Sequence, residues 1–221
     1  MPSWKLHVKL ARCLGVSEDV ARFVNKLIDE PSKATDRLSS EDDKRVFYEL
    51  IEAGFIGHDW SRGSKGRRNM VLTICSKYYN KEECRLAVDL HDMLDYIATL
   101  RNPRKLAEII LKSELFHSSG NMPIDERLVK IRDVLKSDEY KHKVEELAKE
   151  IEVKLDENKY SELIAEMVKV KAKELEIEER VLNYLLTNIN EIQRKIADEI
   201  RNRIELAEHN KHISLDKWFK R

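Results

Sequence analysis

Apolar positions recur at helical spacing along most of this chain. Trp4, Leu6, Leu10 and Leu14 mark a first helix over residues 3–14. Ser17-Glu18-Asp19 reads as an N-cap opening a second, with Val20, Phe23, Val24 and Leu27 on one face and Pro31 beyond its end. Ser40, followed by Glu41, Asp42 and Asp43, opens a third, whose stripe is Val46, Phe47, Leu50 and Ile51 and which runs toward His58-Asp59. A polar loop is expected over residues 61–68, then helices over 69–79, 81–100 and from Pro103 to about His117. Ser118-Ser119-Gly120-Asn121 reads as an internal boundary.

Beyond it the pattern changes. Residues 124–209 contain neither Gly nor Pro, and Val144, Leu147, Ile151 and Leu155 repeat at one-turn intervals. A later stripe runs Leu182, Leu185, Ile189, Ile192, Ile196, Ile200 and Ile204. Its spacing drifts from 3-4 to 4-4, so it marks one side of a long helix rather than a sustained heptad. Such a helix needs a partner surface, either the preceding helices or a second chain through residues 177–209. The expected fold is therefore all-α. Its parts are a multi-helix domain over 1–120, a long-helix region over 121–209 and a terminal peptide over 210–221.

Composition sharpens this picture. The 221 residues carry 41 basic and 41 acidic side chains, 42% hydrophobic residues, six Gly and four Pro. Few turn formers argue against a sandwich or barrel. No apolar run approaches the ~18 residues that span a bilayer, so no membrane partner is expected. No apolar stretch follows Met1-Pro2-Ser3-Trp4-Lys5, so no secretory leader is expected. Cys13, Cys75 and Cys84 form no Cys-x-x-Cys pair, which points away from a disulfide framework and toward a reduced, cytoplasmic protein. One Gln among many Lys and Glu suits a thermophilic source. Zero net charge argues against a basic coat over the whole protein but leaves local patches open. There is no Walker A loop, dinucleotide fingerprint or Gly-x-Ser-x-Gly elbow, which argues against nucleotide-driven motors, nicotinamide enzymes and serine hydrolases.

Two constellations carry chemistry. The first is the terminal sequence His212-Ile213-Ser214-Leu215-Asp216-Lys217-Trp218-Phe219. Within one helical turn Leu215, Trp218 and Phe219 share a side and form a small apolar plug. It resembles the PCNA-interacting peptide of replication and repair proteins, with His212 standing where Gln is usual. The resemblance implies docking on the PCNA sliding clamp through His212, Leu215, Trp218 and Phe219, and hence work on DNA. The alternative is a last turn that folds its aromatics onto the protein's own core.

The second constellation is His7, His58-Asp59, and His91 with Asp95. His91 and Asp95 lie one turn apart on one helix face and can hold one ion together. Imidazole with carboxylate suits Zn, Mn, Fe, Ni or Co, and Mg is also considered. The order His, His-Asp, Asp on a helical scaffold resembles the HD-domain metal-dependent phosphohydrolases. The resemblance implies metal ligands at His7, His58, Asp59, His91 and Asp95, and catalytic roles for Asp59 and Arg62. His117 is a further histidine of the kind some two-metal members use, and Asp89 or Asp92 could replace Asp95. Arg62, Lys65, Arg67 and Arg68 would then bind phosphate or DNA. The plainer reading makes His58 a core histidine, Asp59 a helix terminator and His91–Asp95 a hydrogen-bonded pair.

Together these point to a clamp-docked DNA replication or repair factor with an HD-like nuclease or phosphohydrolase domain, associated with chromosomal DNA. Two other readings stand beside it: a non-enzymatic helical accessory subunit of a clamp-bound complex, and a nucleotide phosphohydrolase.

Overall fold

The computed structural model describes residues 2–30, 34, 38–52, 65–118, 123–154 and 157–202. Among them the chain is all-α, with no strand. The helices are α1 (Trp4–Cys13), α2 (Glu18–Asp29), α3 (Glu41–Glu52), α4 (Lys65–Tyr78), α5 (Lys81–Leu100), α6 (Pro103–Ser118), α7 (Ile124–Lys136), α8 (Asp138–Lys154), α9 (Glu157–Leu175) and α10 (Glu179–Thr187). A final helix, α11, spans 189–202.

Local signals explain most of the boundaries. Ser3 caps α1, its hydroxyl accepting from the Leu6 amide at 3.2 Å. Ser40 accepts from the Asp43 amide, Asn80 from the Glu82 amide and Asn102 from the Lys105 amide. Ser17 occupies the N-cap position of α2 without a side-chain cap bond; its own amide instead donates to Glu83. Between α1 and α2 the chain reverses at Gly15, with φ +82°. The Val16 amide there reaches the Ala11 carbonyl, the closing bond of a left-handed C-cap that favours glycine.

The chain forms two compact units, Met1–Tyr96 with the segment from Ala165 onward, and Ile97–Ile164. This grouping differs from the boundary expected at residue 120: the divisions fall inside α5 and α9, because the C-terminal helices join the N-terminal ones. In the first unit α1 packs on α2, and α2 on α4. Its core includes Leu10, Phe23, Leu27, Ile28, Val71, Met93, Leu94, Val168 and Ile196. In the second, α8 packs against α6 and α7 around Leu106, Ile131, Val144 and Ile151. The Tyr160 hydroxyl donates to the Leu100 carbonyl at 2.6 Å.

Three expectations are corrected. The basic loop ends earlier than residue 68: Lys65, Gly66, Arg67 and Arg68 belong to α4, which starts four residues sooner than its apolar pattern suggests. The long helix of 177–209 is interrupted. Asn188 breaks the ladder, its side-chain amide donating back to the Tyr184 carbonyl at 2.8 Å. Leu185, Ile189, Ile192 and Ile196 are covered within the chain, and Ile200 is 37% exposed. Most of the described stripe thus has its partner in cis. Finally, Cys75 and Cys84 are disulfide-bonded, against the expectation of free thiols. Spacing alone missed the pair because a short turn after α4 folds α5 back and brings the two residues face to face. The side chains of Val46, Phe47, Leu50 and Ile51, and residues 155 and 204, lie outside the described residues.

Closing a loop across nine positions removes unfolded-state entropy worth about 2–3 kcal/mol. Thiol titration in denaturant without reductant should therefore find one thiol, Cys13. Cys75→Ser should lower the Tm by several degrees. Three titrating thiols would contradict the bond.

Candidate metal centre

Three helices carry the sequence-selected residues to one place. Ser3 starts α1 and is pinned from α11: its amide donates to Glu199 at 2.7 Å and its hydroxyl to the same carboxylate. This fixes the first turn, and with it His7, which faces inward at 3% exposure. α2 brings Asn25 and Asp29 one turn apart, and α5 brings His91 and Asp95 likewise. The His7 and His91 rings stack, with centroids 4.5 Å apart and planes within 19°.

Both imidazoles are oriented through Nδ1. His7 Nδ1 lies 3.0 Å from the Ser3 carbonyl, and His91 Nδ1 lies 2.9 Å from Asn25 Oδ1. These oxygens can only accept, so each Nδ1 carries a hydrogen and donates. That leaves the two Nε2 atoms for the centre. Both are buried, and their nearest polar neighbours are carboxylate oxygens beyond normal hydrogen-bond geometry. His7 Nε2 is 3.7 Å from Asp95 Oδ1; His91 Nε2 is 3.5 Å from Asp95 Oδ2 and 3.5 Å from Asp29 Oδ1. Ligand atoms of His7, His91 and Asp95 all lie within 4.8 Å of one another. Asp29 is held by Trp4, whose indole N–H donates to its other oxygen at 2.6 Å.

The electrostatics follow from burial and charge. Burial lowers the His7 pKa to about 4, helped by repulsion from His91. Burial also disfavours charge on His91, but the Asp29 and Asp95 carboxylates facing its Nε2 outweigh it and lift the pKa to about 9. Asp29 is pushed up by burial yet held below its ordinary value by its bonds with His91 and Trp4. Without a cation the centre therefore keeps one proton on His91, against two carboxylates.

These residues fit a divalent ion. Two imidazole lone pairs converge with carboxylate oxygens, and each imidazole has the outer hydrogen bond that fixes a ligating tautomer. Two carboxylates balance a dication when both rings are neutral. Nitrogen and oxygen donors in this proportion suit Mn, Fe, Co, Ni or Zn better than Mg.

The other sequence-selected residues divide. Asp89 and Asp92, considered as alternative ligands, face elsewhere. Asp89 is fully buried, accepts from Arg68, and accepts the Glu178 amide at 2.7 Å. Burial raises its pKa, opposed by the Arg68 charge. Arg68 Nε is 3.9 Å from Asp92. Arg68, read as a phosphate contact, is thus turned inward at 5% exposure and ties α4 to α5. His58, Asp59 and Arg62 lie outside the described residues, as do His212, Leu215, Trp218 and Phe219. The side chains of Lys65, Arg67 and His117 do too. Sequence reasoning missed Asn25 and Asp29. Their signal was available: two polar residues four apart on the side of α2 that carries Val24, Leu27 and Ile28.

A search among known proteins finds no family model, no curated protein and no solved structure that matches the chain.

The two histidines predict a stability profile for the metal-free protein. His91, raised above 6.5, stabilises fully below pH about 6.5 and ceases to do so as pH rises through about 9. His7, lowered, favours the folded state above pH about 6.5, and that advantage is lost as pH falls through about 4. Thermal melts in chelator should peak near pH 6.5 and fall by several degrees toward pH 9. A flat profile from pH 6.5 to 9 would contradict the assignment of His91.

Proposed function

We propose that this chain is a metal-dependent phosphohydrolase of HD type that acts on DNA and docks on the sliding clamp through its C-terminal peptide. The observation that carries the enzymatic part is the convergence of two buried imidazole Nε2 atoms on the Asp95 carboxylate, with the ligand atoms of all three residues within 4.8 Å of one another. His7 Nε2 is buried with no hydrogen bond, a group that costs ~1–3 kcal/mol to leave unmet, and it shares the Asp95 carboxylate with His91.

His7, His91 and Asp95 would hold the ion, with the Asp29 carboxylate facing His91 beside them, and His58 and Asp59 would add to it on the HD-like reading. A bound dication there supplies Lewis acidity and a water acidified toward neutral pH, suited to hydrolysis at phosphorus. The Ser3 carbonyl and Asn25 hold the two rings in the ligating tautomer. Trp4 holds Asp29 so that one oxygen remains for the centre. Both rings are nearly closed off from solvent, His7 at 3% and His91 at 1% exposure. On the same reading Asp59 and Arg62 carry the catalytic roles, Arg62 as a phosphate contact.

The clamp-docking part rests on Leu215, Trp218 and Phe219 at the spacing of a one-turn aromatic plug. Tethering by that peptide raises the local concentration of the body near DNA, so the body itself needs little affinity.

One experiment tests both parts. The full chain with Mn(II) is assayed on a small phosphodiester and on DNA, alone and with its cognate clamp. His91→Ala should lose at least ~100-fold in activity, and Asn25→Ala ~10–100-fold through misorientation of His91. Trp218→Ala with Phe219→Ala should keep activity on the small substrate and lose clamp binding. Folded wild-type protein without metal-dependent hydrolysis would overturn the enzymatic part. Clamp affinity unchanged by the double substitution would overturn the docking part.

A further inference from the structure

The outer side of α1 differs sharply from its inner side. Lys5, Lys9 and Arg12 are all exposed, while His7, Leu10 and Ala11 face the core. Positions 5, 9 and 12 form one stripe, with steps of about 6 and 4.5 Å along the helix axis. No carboxylate is paired with Lys5 or Arg12 among the described residues. Repeated like charge destabilises a helix, and the first turn of α1 carries no acid to offset it. Arg12 suits the dipole of the last turn, but Lys5 in the first turn opposes it.

Its surroundings extend the charge. A groove of about 460 Å³ runs beside it, with Val8 at its floor among Lys5, Lys9, Arg12, Cys13, Glu18 and Arg22. Glu18 is already taken by Arg22 at 2.6 Å. Near Lys9 lies Glu191 of α11, paired with Lys195 and held below its ordinary pKa by that bond, with Arg194 and Lys9 adding to the effect. Both carboxylates are thus matched by their own cations, and Lys5, Lys9, Arg12 and Arg194 remain as surplus. Because the whole chain has zero net charge, this excess is a local pattern rather than a consequence of composition.

We propose that the outer face of α1, Lys5, Lys9 and Arg12 with Arg194 beside them, seats the phosphate backbone of DNA. A straight row of flexible cations in an open groove grips evenly spaced phosphates without reading bases. The stripe carries no exposed large apolar side chain of the kind that anchors a helix in a lipid surface. The choice of DNA among polyanions rests on the function proposed above. The same helix carries His7 on its opposite side, so the seat and the centre share one rigid element.

The test is anisotropy titration of fluorescent DNA oligonucleotides with the full chain, in chelator, from 50 to 200 mM salt (roughly the range over which phosphate contacts are lost). Lys5→Gln, Lys9→Gln and Arg12→Gln combined should weaken binding at least ~30-fold and lower the salt slope by roughly 3. The matched control, Lys141→Gln, Lys143→Gln and Lys169→Gln, should stay within ~3-fold. DNA should also slow alkylation of Cys13, which lines the groove. No affinity of the wild type for DNA, equal losses in the two triple variants, or RNA of the same sequence binding tenfold tighter would each overturn the proposal. Chelator separates the two readings: DNA binding without metal uptake by the folded chain keeps the seat and removes the metal-centred function, and metal uptake without DNA binding does the reverse.

Discussion

Two imidazole rings stacked 4.5 Å apart, beside two carboxylates and nearly out of reach of water, set the terms for the rest of the N-terminal unit. Such a cluster is costly to bury unless its charges balance. One proton on His91 leaves it a charge short against Asp29 and Asp95. A divalent ion with both rings neutral closes the balance. The supporting architecture is consistent with that role. Glu199 pins the cap of α1, Asn25 orients His91, and Trp4 holds Asp29. Three helices must meet in one register for these contacts to form together, and the apolar residues of α2 and α5 supply the packing that enforces it.

α5 is the central element because it is buried on more than one side and carries polar groups on two of them. His91 and Asp95 look toward α1 and α2. Asp89 looks toward Arg68 and the start of α10. The buried Arg68–Asp89 pair gains from the Glu178 amide, which satisfies the second carboxylate oxygen. Removing one partner of such a pair typically costs ~3–5 kcal/mol, because the remaining charge is left buried. The Cys75–Cys84 bond reinforces the same α4–α5 hairpin. Through the two fastenings α5 has little freedom to rotate, so the position of His91 and Asp95 is set by parts of the chain that have no chemistry of their own.

The helices were legible because their signals are local: Ser40, Asn102 and Pro103 mark ends, and the stripes of α1, α2 and α8 mark faces. The His91–Asp95 pair and His7 were legible as one candidate cluster from side-chain type and a one-turn spacing. What was not legible depended on tertiary contact. Arg68 looks like an exposed phosphate contact because its neighbours are Gly, Lys and Arg; only the approach of α5 turns it inward. Asp29 looks like a helix end until α5 arrives opposite it. The Cys75–Cys84 bond needs the α4–α5 reversal, and the division of the chain at 96 and 164 needs the return of the C-terminal helices, neither of which leaves a compositional mark.

The most direct test of the central claim is X-ray absorption on the full chain loaded with Zn(II). The account predicts one tightly bound equivalent with nitrogen and oxygen donors at about 2.0–2.2 Å. It also predicts outer-shell imidazole scattering that weakens in both His7→Ala and His91→Ala while the protein stays folded. A folded protein that takes up no metal, or one whose bound metal shows no imidazole scattering, would contradict it.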